Sequence, residues 1–200
     1  MTDSYLTIEK ASEGMFKDKG SKFLAFAYPV ESEDKIREYI QKLRKEHHAA
    51  RHHCFAWRLG AAMEHFRSND DGEPSSSAGK PILGQIQRLG LTDVLIVVVR
   101  YFGGTLLGVG GLIKAYGEAA ADALSHATII TRIVKIPFCI HFDYLQMNAV
   151  MKIFKEKDLP QIKSDFNLRC SICSSARQSE VGLILSLFSQ IEGVVTERME

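Results

Sequence analysis

Strand and helix patterns of apolar residues alternate along the first part of the chain. KFLAFAYPV (22–30) is rich in β-forming residues and predicts a strand, and Ser32 can cap a helix directly after it. HCFAWRL (53–59) and GAAMEHFRS (60–68) predict a strand, a turn and a second strand paired as a hairpin. DVLIVVVRYF (93–102) is a continuous apolar run, which is typical of a strand buried on both faces.

Two further helices are predicted in this part, each after a polar or glycine-rich loop. Apolar residues at helical spacing predict a short amphipathic helix over residues 82–89. The alanine-rich segment LIKAYGEAAADALSHA (112–127) predicts a long helix that packs closely against its neighbours. The first part therefore combines strands and helices in one domain.

The pattern changes after about residue 128. TIITRIVKIPFCIHFD is strand-like, 144–159 predicts a helix, and two short strands flank a turn near Asn167. SEVGLILSLFSQIEG predicts another helix, and VVTERM a last strand. The order βαββαβ indicates a ferredoxin-like module. We therefore expect an α+β fold with two domains, residues 1–130 and residues 131–200.

Size and composition narrow the class of protein. A chain of 200 residues that is 46% hydrophobic can form one or two domains with a real core. The net charge of +1 excludes strong nucleic-acid binding by bulk charge, but not by a local basic patch. The polar N-terminus is not typical of a signal peptide, and no apolar run is long enough to cross a membrane. Four scattered cysteines predict free thiols in the cytoplasm.

The loop DDGEPSSSAGKPILGQI (70–86) has two interpretations. It can be a turn in which Ser75, Ser76 or Ser77 caps the helix that begins near residues 79–81. That role does not explain three neighbouring acids, which repel one another unless a cation is near. Hydroxyl groups and free N–H groups at the helix start can also hold an anion. Three acids without a regular spacing are a weak sign of a metal site.

Five glycines lie between residues 103 and 111, inside RYFGGTLLGVGGLIKAYG (100–117). They allow either a tight turn with close helix packing or a close approach of the backbone to an anion. The segment matches neither of the two standard nucleotide-binding fingerprints. Arg100 and Lys114 flank the loop and would suit an anion.

The segment KEHHAARHHCFAWR (45–58) holds four of the seven histidines. His48 and His52 would share one face if the preceding helix continued, which suggests zinc. The spacing of a zinc site is missing, so we favour a helix C-terminus and predict no metal. Cys170 and Cys173 would point to opposite faces of a strand, and we interpret this C-x-x-C as incidental.

Four segments together resemble the IMPACT family, in its bacterial YigZ-like branch. They are SKFLA (21–25), HHAARHHCFAWRLG (47–60), DDGEPSSSAGKPIL (70–83) and VVVRYFGGTLLGVGGLIKAYG (97–117). After D-G-E-P the family usually shows Ser-Gly-Thr-Ala-Gly, whereas this chain has Ser76 in place of the first glycine. The resemblance implies a first domain similar to the second domain of ribosomal protein S5. It implies a second domain similar to a ferredoxin-like domain of elongation factor G.

The resemblance implies a role in translation, through binding of RNA, the ribosome or a translation factor. Eukaryotic members restrain a stress kinase and carry an additional N-terminal domain. We expect this chain to start at the IMPACT domain itself, so that specific role is not implied. The alternative is an enzyme or a binder of a small phosphorylated ligand, in a cleft between the acidic and glycine-rich loops. No nucleophile–base pair can be named, so no reaction and no cofactor are predicted.

We predict that the two loops face each other and form the functional site. Its core would be Asp71, Glu73, Ser75 and Arg100, with Arg100 paired to Glu73 or Asp71 when no ligand is present. The remaining candidates shape or flank the site, and they are Gly103, Gly104, Gly110 and Lys114. The expected ligand is a phosphate group, from RNA or from a small metabolite. The sequence leaves the oligomeric state open.

Overall fold

A computed structural model describes residues 3–167 and 169–199. The chain forms two compact units, of which the first is Tyr5–Arg132 and the second combines residues 3–4 with residues 133–199. Five α-helices and eleven strands lie within the described residues. The predicted α+β class is confirmed. The likeness of the two units to domains of S5 and elongation factor G stays a prediction.

The first unit is built mainly on a five-stranded antiparallel sheet. Its elements are β1 (Ser4–Ile8), β2 (Ser12–Asp18), β3 (Ser21–Pro29), α1 (Glu33–Glu46), β4 (His52–Leu59), β5 (His65–Asn69), α2 (Gly79–Arg88), β6 (Val94–Tyr101), α3 (Gly108–Ser125) and β7 (Ile129–Ile133). The five-stranded sheet has the order β2-β3-β6-β4-β5, with β6 in the centre. Strands β1 and β7 form a separate two-stranded sheet. The sequence interpretation had missed β1 and β2.

Both faces of the five-stranded sheet are covered, so its central strand is apolar throughout. Val94, Ile96 and Val98 belong to the core under α2 and α3. Leu95, Val97 and Val99 belong to a second core on the side of α1. This confirms the prediction for β6, because a strand buried on both faces shows no alternation.

Strand β4 contributes side chains to both of these cores. Cys54 and Ala56 pack on the side of α2 and α3, and Phe55 and Trp57 pack on the side of α1. The two aromatic side chains belong to or pack against this core. They therefore offer no stacking surface for RNA bases.

Helix α1 has the signals that the sequence indicates at both ends. The Ser32 side chain accepts a hydrogen bond from the N–H of Lys35, and the helix ends at Glu46 with His47 as its cap. Because the helix stops there, His48 and His52 share no helical face. His52 is instead the first residue of β4.

The second unit has the predicted βαββαβ order. After β8 (Lys135–Phe142) come a 3-10 turn (Tyr144–Gln146), α4 (Met147–Glu156), β9 (Lys163–Phe166), β10 (Cys170–Arg177), α5 (Val181–Ser189) and β11 (Val195–Arg198). The antiparallel sheet has the order β11-β8-β10-β9. Its core contains Phe138, Ile140 and Ile172 from the strands and Phe154 and Phe188 from the helices.

The cysteines correct one prediction. Cys139 of β8 and Cys173 of β10 lie directly opposite each other and form a disulfide, with Cα atoms 4.0 Å apart. The prediction of free thiols is therefore wrong for these two, because strand register rather than spacing in the sequence brings them together. Cys54 and Cys170 are free and buried. Cys170 and Cys173 face opposite sides of the sheet, as predicted.

Candidate functional site

A cavity of about 840 Å³ opens in the first unit where β6 ends. Its polar lining consists of Arg51, His52, Glu73, Arg100 and Tyr101. Its main apolar lining consists of Pro74, Phe102, Leu106, Leu107, Val109 and Leu112. The acidic loop and the glycine-rich loop thus lie along the same cavity. Arginines outnumber carboxylates in the lining, so the cavity favours ligands that carry negative charge.

A buried ion pair forms the floor of the cavity. Arg100 Nη1 donates to Glu73 Oε1 at 2.7 Å, and the two side chains are only 7% and 4% exposed. The predicted pairing of Arg100 is therefore confirmed, with Glu73 as its partner. The guanidinium carbon of Arg100 lies 5.5 Å from the ring centroids of both Phe23 and Phe102. These cation–π contacts fix the plane of the guanidinium.

Two buried side chains, Cys54 and Tyr116, form a chain of hydrogen bonds that ends on Glu73. The Tyr116 hydroxyl donates to Glu73 Oε1 at 2.7 Å, and the Cys54 thiol lies 3.3 Å from that hydroxyl. Burial raises the pKa of the Cys54 thiol, and burial also raises the pKa of the Tyr116 hydroxyl. Both groups therefore stay protonated at neutral pH. They position Glu73, and neither is poised as a nucleophile.

Asp70 organises the start of α2. Its Oδ1 accepts hydrogen bonds from the N–H groups of Ala78 and Gly79, and its Oδ2 accepts one from Ser76. Burial raises the pKa of the Asp70 carboxyl, but the three N–H donors outweigh it and lower that pKa. The prediction of a serine cap is wrong, because a carboxylate eight residues before Ala78 satisfies the helix start.

Asp71 connects the acidic loop to the rest of the sheet. Its Oδ2 accepts from the backbone N–H of His53 at 2.7 Å, and its Oδ1 accepts from Arg44 at 2.6 Å. Its backbone has a φ of 42°. Asp71 is not among the residues that line the cavity. Each of the three acids therefore has its own donors, which removes the mutual repulsion that the sequence suggested.

The other predicted residues lie around the cavity rather than in it. Ser75 and Lys114 are exposed and do not line the cavity. Gly103 packs against the β2–β3 turn, where a Cβ atom would lie 1.9 Å from the carbonyl carbon of Gly20. Gly104 has a φ of 88° and Gly110 lies in α3, and a Cβ atom on either would meet open space. Of the eight predicted residues, only Glu73 and Arg100 line the cavity.

Several cavity residues were missed from the sequence. Phe102, Leu106 and Val109 are exposed apolar residues on the wall of the cavity, and Phe102 is 56% exposed. The sequence could have indicated them, because these apolar residues lie in the glycine-rich segment without the spacing of a core-facing helix or strand. Tyr116 is buried in α3, within the segment that predicts a closely packed helix. Its hydroxyl contact with Glu73 depends on the tertiary fold.

Two kinds of feature are absent from the described part of the chain. Within it, no helix is long and apolar enough to cross a bilayer. Among the same residues, no group of three or more His, Cys, Asp and Glu side chains is arranged to hold a metal ion.

These features define a two-unit α+β protein whose first unit contains a cavity above a buried carboxylate–guanidinium pair. The chain belongs to the IMPACT family, since the family described as Impact N-terminal domain matches residues 19–124. The matched range includes the acidic loop, the glycine-rich loop and α3. It therefore contains every residue of the cavity.

Relatives from two bacteria are similar to this chain. IMPACT family member YigZ of Escherichia coli is 34% identical over 178 residues, which are 86% of this chain and 87% of YigZ. IMPACT family member YvyE of Bacillus subtilis is 40% identical over 132 residues, which are 66% of this chain and 61% of YvyE. A crystal structure described as a hypothetical protein matches all of this chain and 99% of its own, with 29% identity and a TM-score of 0.78.

Proposed function

We propose that this protein regulates translation by binding RNA, alone or within the ribosome, at the cavity of the first unit. The observation that carries the proposal is the composition of that cavity. An exposed aromatic ring, Phe102, lines the cavity together with Arg51 and the buried pair of Arg100 and Glu73. Aromatic side chains next to arginines are the usual means of holding unpaired bases and phosphates.

The role in translation is supported by the family. The chain belongs to the IMPACT family. We expect its two units to resemble parts of ribosomal protein S5 and elongation factor G, and that fold analogy favours a partner in the translation machinery. We expect a protein that acts on translation to work in the cytoplasm.

The experiment is a binding assay with two matched variants. Purified protein is mixed with total RNA and, separately, sedimented with ribosomes, at low and at raised salt. Phe102→Ala should weaken binding about 5- to 150-fold, because stacking of one base is lost. Phe66→Ala removes a ring that is 52% exposed on β5 and does not line the cavity, and it should leave binding unchanged.

Two outcomes would contradict the proposal. Wild-type protein that binds neither RNA nor ribosomes at low salt would exclude RNA binding. Equal effects of Phe102→Ala and Phe66→Ala would show that the cavity is not the binding site. Binding that falls steeply with salt is expected, because phosphate contacts release counterions.

A second candidate function is binding of a small phosphorylated ligand. It is favoured by the cavity volume of about 840 Å³, which is in the range of small-molecule sites, and by Gly108 at the start of α3 in its lining. The free N–H groups of a helix start suit a phosphate. Thermal unfolding with nucleotides and with inorganic phosphate tests this candidate. A rise in the melting temperature that Phe102→Ala removes would support it, and no rise with any of them would exclude it.

A further inference from the structure

The β2–β3 hairpin presents a concentrated positive charge beside the cavity. Lys17, Lys19 and Lys22 are all exposed, and Lys17 lies directly opposite Lys22 in the strand register. Among the described residues, none of the three takes part in an ion pair. Like charges directly opposite on neighbouring strands destabilise a sheet, so stability does not explain them.

The hairpin is joined to the wall of the cavity. Lys22 lies opposite Tyr101 of β6, and Tyr101 lines the cavity. The turn of the hairpin packs against Gly103, whose N–H donates to the Ser21 hydroxyl at 3.1 Å. A row of positive charge therefore leads from the edge of the cavity across two neighbouring strands. Asp18 lies opposite Ser21 and, by alternation, faces the other side of the hairpin.

One carboxylate oxygen at the floor of the cavity accepts no hydrogen bond from a described residue. Both hydrogen bonds of the Glu73 carboxylate end on Oε1, and Oε2 receives none from any described residue. The side chain is nevertheless only 4% exposed. Oε2 can therefore accept a hydrogen bond from an N–H or O–H group that enters the cavity. Arg100 and Arg51 disfavour a cationic ligand, so a neutral donor fits best.

We infer that the cavity holds one unpaired base of a single-stranded RNA whose backbone follows the lysines of the β2–β3 hairpin. The exocyclic amine of the base donates to Glu73 Oε2, and the face of the base lies on Phe102. Neighbouring phosphates contact Lys17 and Lys22. Cytosine suits this floor better than uracil, because uracil carries an oxygen acceptor where cytosine carries an amine. The inference rests on the RNA binding proposed above and adds its path and its base preference.

Charge-neutralising variants test the path of the backbone. Binding of a fluorescent cytidine octamer is measured by anisotropy at several salt concentrations. The logarithm of the association constant is plotted against the logarithm of the salt concentration. In the double variant Lys17→Gln/Lys22→Gln, the negative slope of this plot should become shallower by about 1.4, because two phosphate contacts are lost. The matched control Lys155→Gln/Lys157→Gln removes two exposed lysines of the second unit and should leave the slope unchanged. Equal slopes for both double variants would overturn the path.

A comparison of two octamers tests the base. Cytidine and uridine octamers have the same length and charge, and the cytidine octamer should bind on the order of 10-fold more tightly. In Glu73→Met/Arg100→Met, which removes both buried charges together, this preference should disappear. Equal affinity of the two octamers for the wild-type protein would overturn the role of Glu73, whether or not the double variant folds.

Two further comparisons distinguish a free nucleotide from RNA as the ligand, and distinguish failure of this inference from failure of the proposed function. Cytidine monophosphate has no neighbouring phosphates, so it should bind much more weakly than the octamer. Equal affinity would mean that the hairpin lysines contribute nothing, and it would overturn the inference in favour of a free nucleotide. Wild-type protein that binds no RNA would refute both proposals. RNA binding that is indifferent to the lysines and to the base would refute only the inference.

Discussion

Arg100 donates to the carboxylate of Glu73 at 2.7 Å, and each of the two side chains is more than nine-tenths buried. Removal of either partner leaves a buried charge without compensation. We therefore expect Glu73→Ala or Arg100→Ala to lower the free energy of unfolding by about 3–5 kcal/mol. Urea unfolding followed by circular dichroism measures it.

The double variant Glu73→Met/Arg100→Met is the control for this pair. It removes both charges and keeps side chains of similar length, so it should be more stable than either single alanine variant. A double variant that is as unstable as the sum of the single variants would show that the two residues act independently. The ion pair itself would then contribute nothing to the stability of the fold.

Asp70 should stabilise the acidic loop in a pH-dependent way. Asp70→Ala removes the acceptor of three backbone N–H groups, and we expect it to lower the free energy of unfolding by about 1–3 kcal/mol at pH 7. The folded state lowers the pKa of this carboxyl below its ordinary value of 3.8. The contribution is therefore complete above that value, and it is lost as the pH falls through the folded pKa.

Urea unfolding of both proteins at pH 7 and near pH 3 tests this dependence. The difference in stability between wild type and Asp70→Ala should be smaller at the lower pH. Asp34→Ala, at an exposed position in the first turn of α1, is the control, and it should change stability by less than about 1 kcal/mol. A difference between wild type and Asp70→Ala that is the same at both pH values would contradict the assignment.

Two glycines of the same loop region should respond in opposite directions to alanine. A Cβ atom on Gly103 would lie 1.9 Å from the carbonyl carbon of Gly20 and 2.2 Å from the nitrogen of Ser21, and these backbone atoms cannot yield easily. We expect Gly103→Ala to lower stability by about 3 kcal/mol. Gly110 lies in α3 and a Cβ atom there meets open space, so Gly110→Ala should raise stability by about 0.5–1 kcal/mol. Thermal unfolding of both variants is the measurement, and equal losses would contradict the packing of Gly103.

Local patterns predicted much of the fold and only part of the site. The apolar run of β6, the Ser32 cap and the βαββαβ order are properties of neighbouring residues, so they were visible in the sequence. The pairing of Arg100 with Glu73 or Asp71 was expected from charge alone. The role of Asp70 was not, because the sequence offers three serines nearer the helix start. The role of Tyr116 was not expected either, because it depends on a contact between segments that are separate in the sequence. The exposed Phe102 was missed because the glycine-rich segment was interpreted as a turn or an anion site and its apolar side chains were not considered.

The cysteines give a last prediction, which tests strand register in the second unit and burial in the first. Cys139 and Cys173 form a disulfide, whereas Cys54 and Cys170 are free and almost completely buried. Burial also raises the pKa of the Cys54 thiol, so its reactive thiolate is scarce even in mildly alkaline solution. The native protein, purified without reductant, should therefore show almost no thiol that reacts quickly with Ellman's reagent. In denaturant two thiols should react, and after reduction all four cysteines should react. Four reactive thiols in denaturant without reductant would contradict the disulfide, and rapid reaction of Cys54 in the native protein would contradict its burial beneath the cavity.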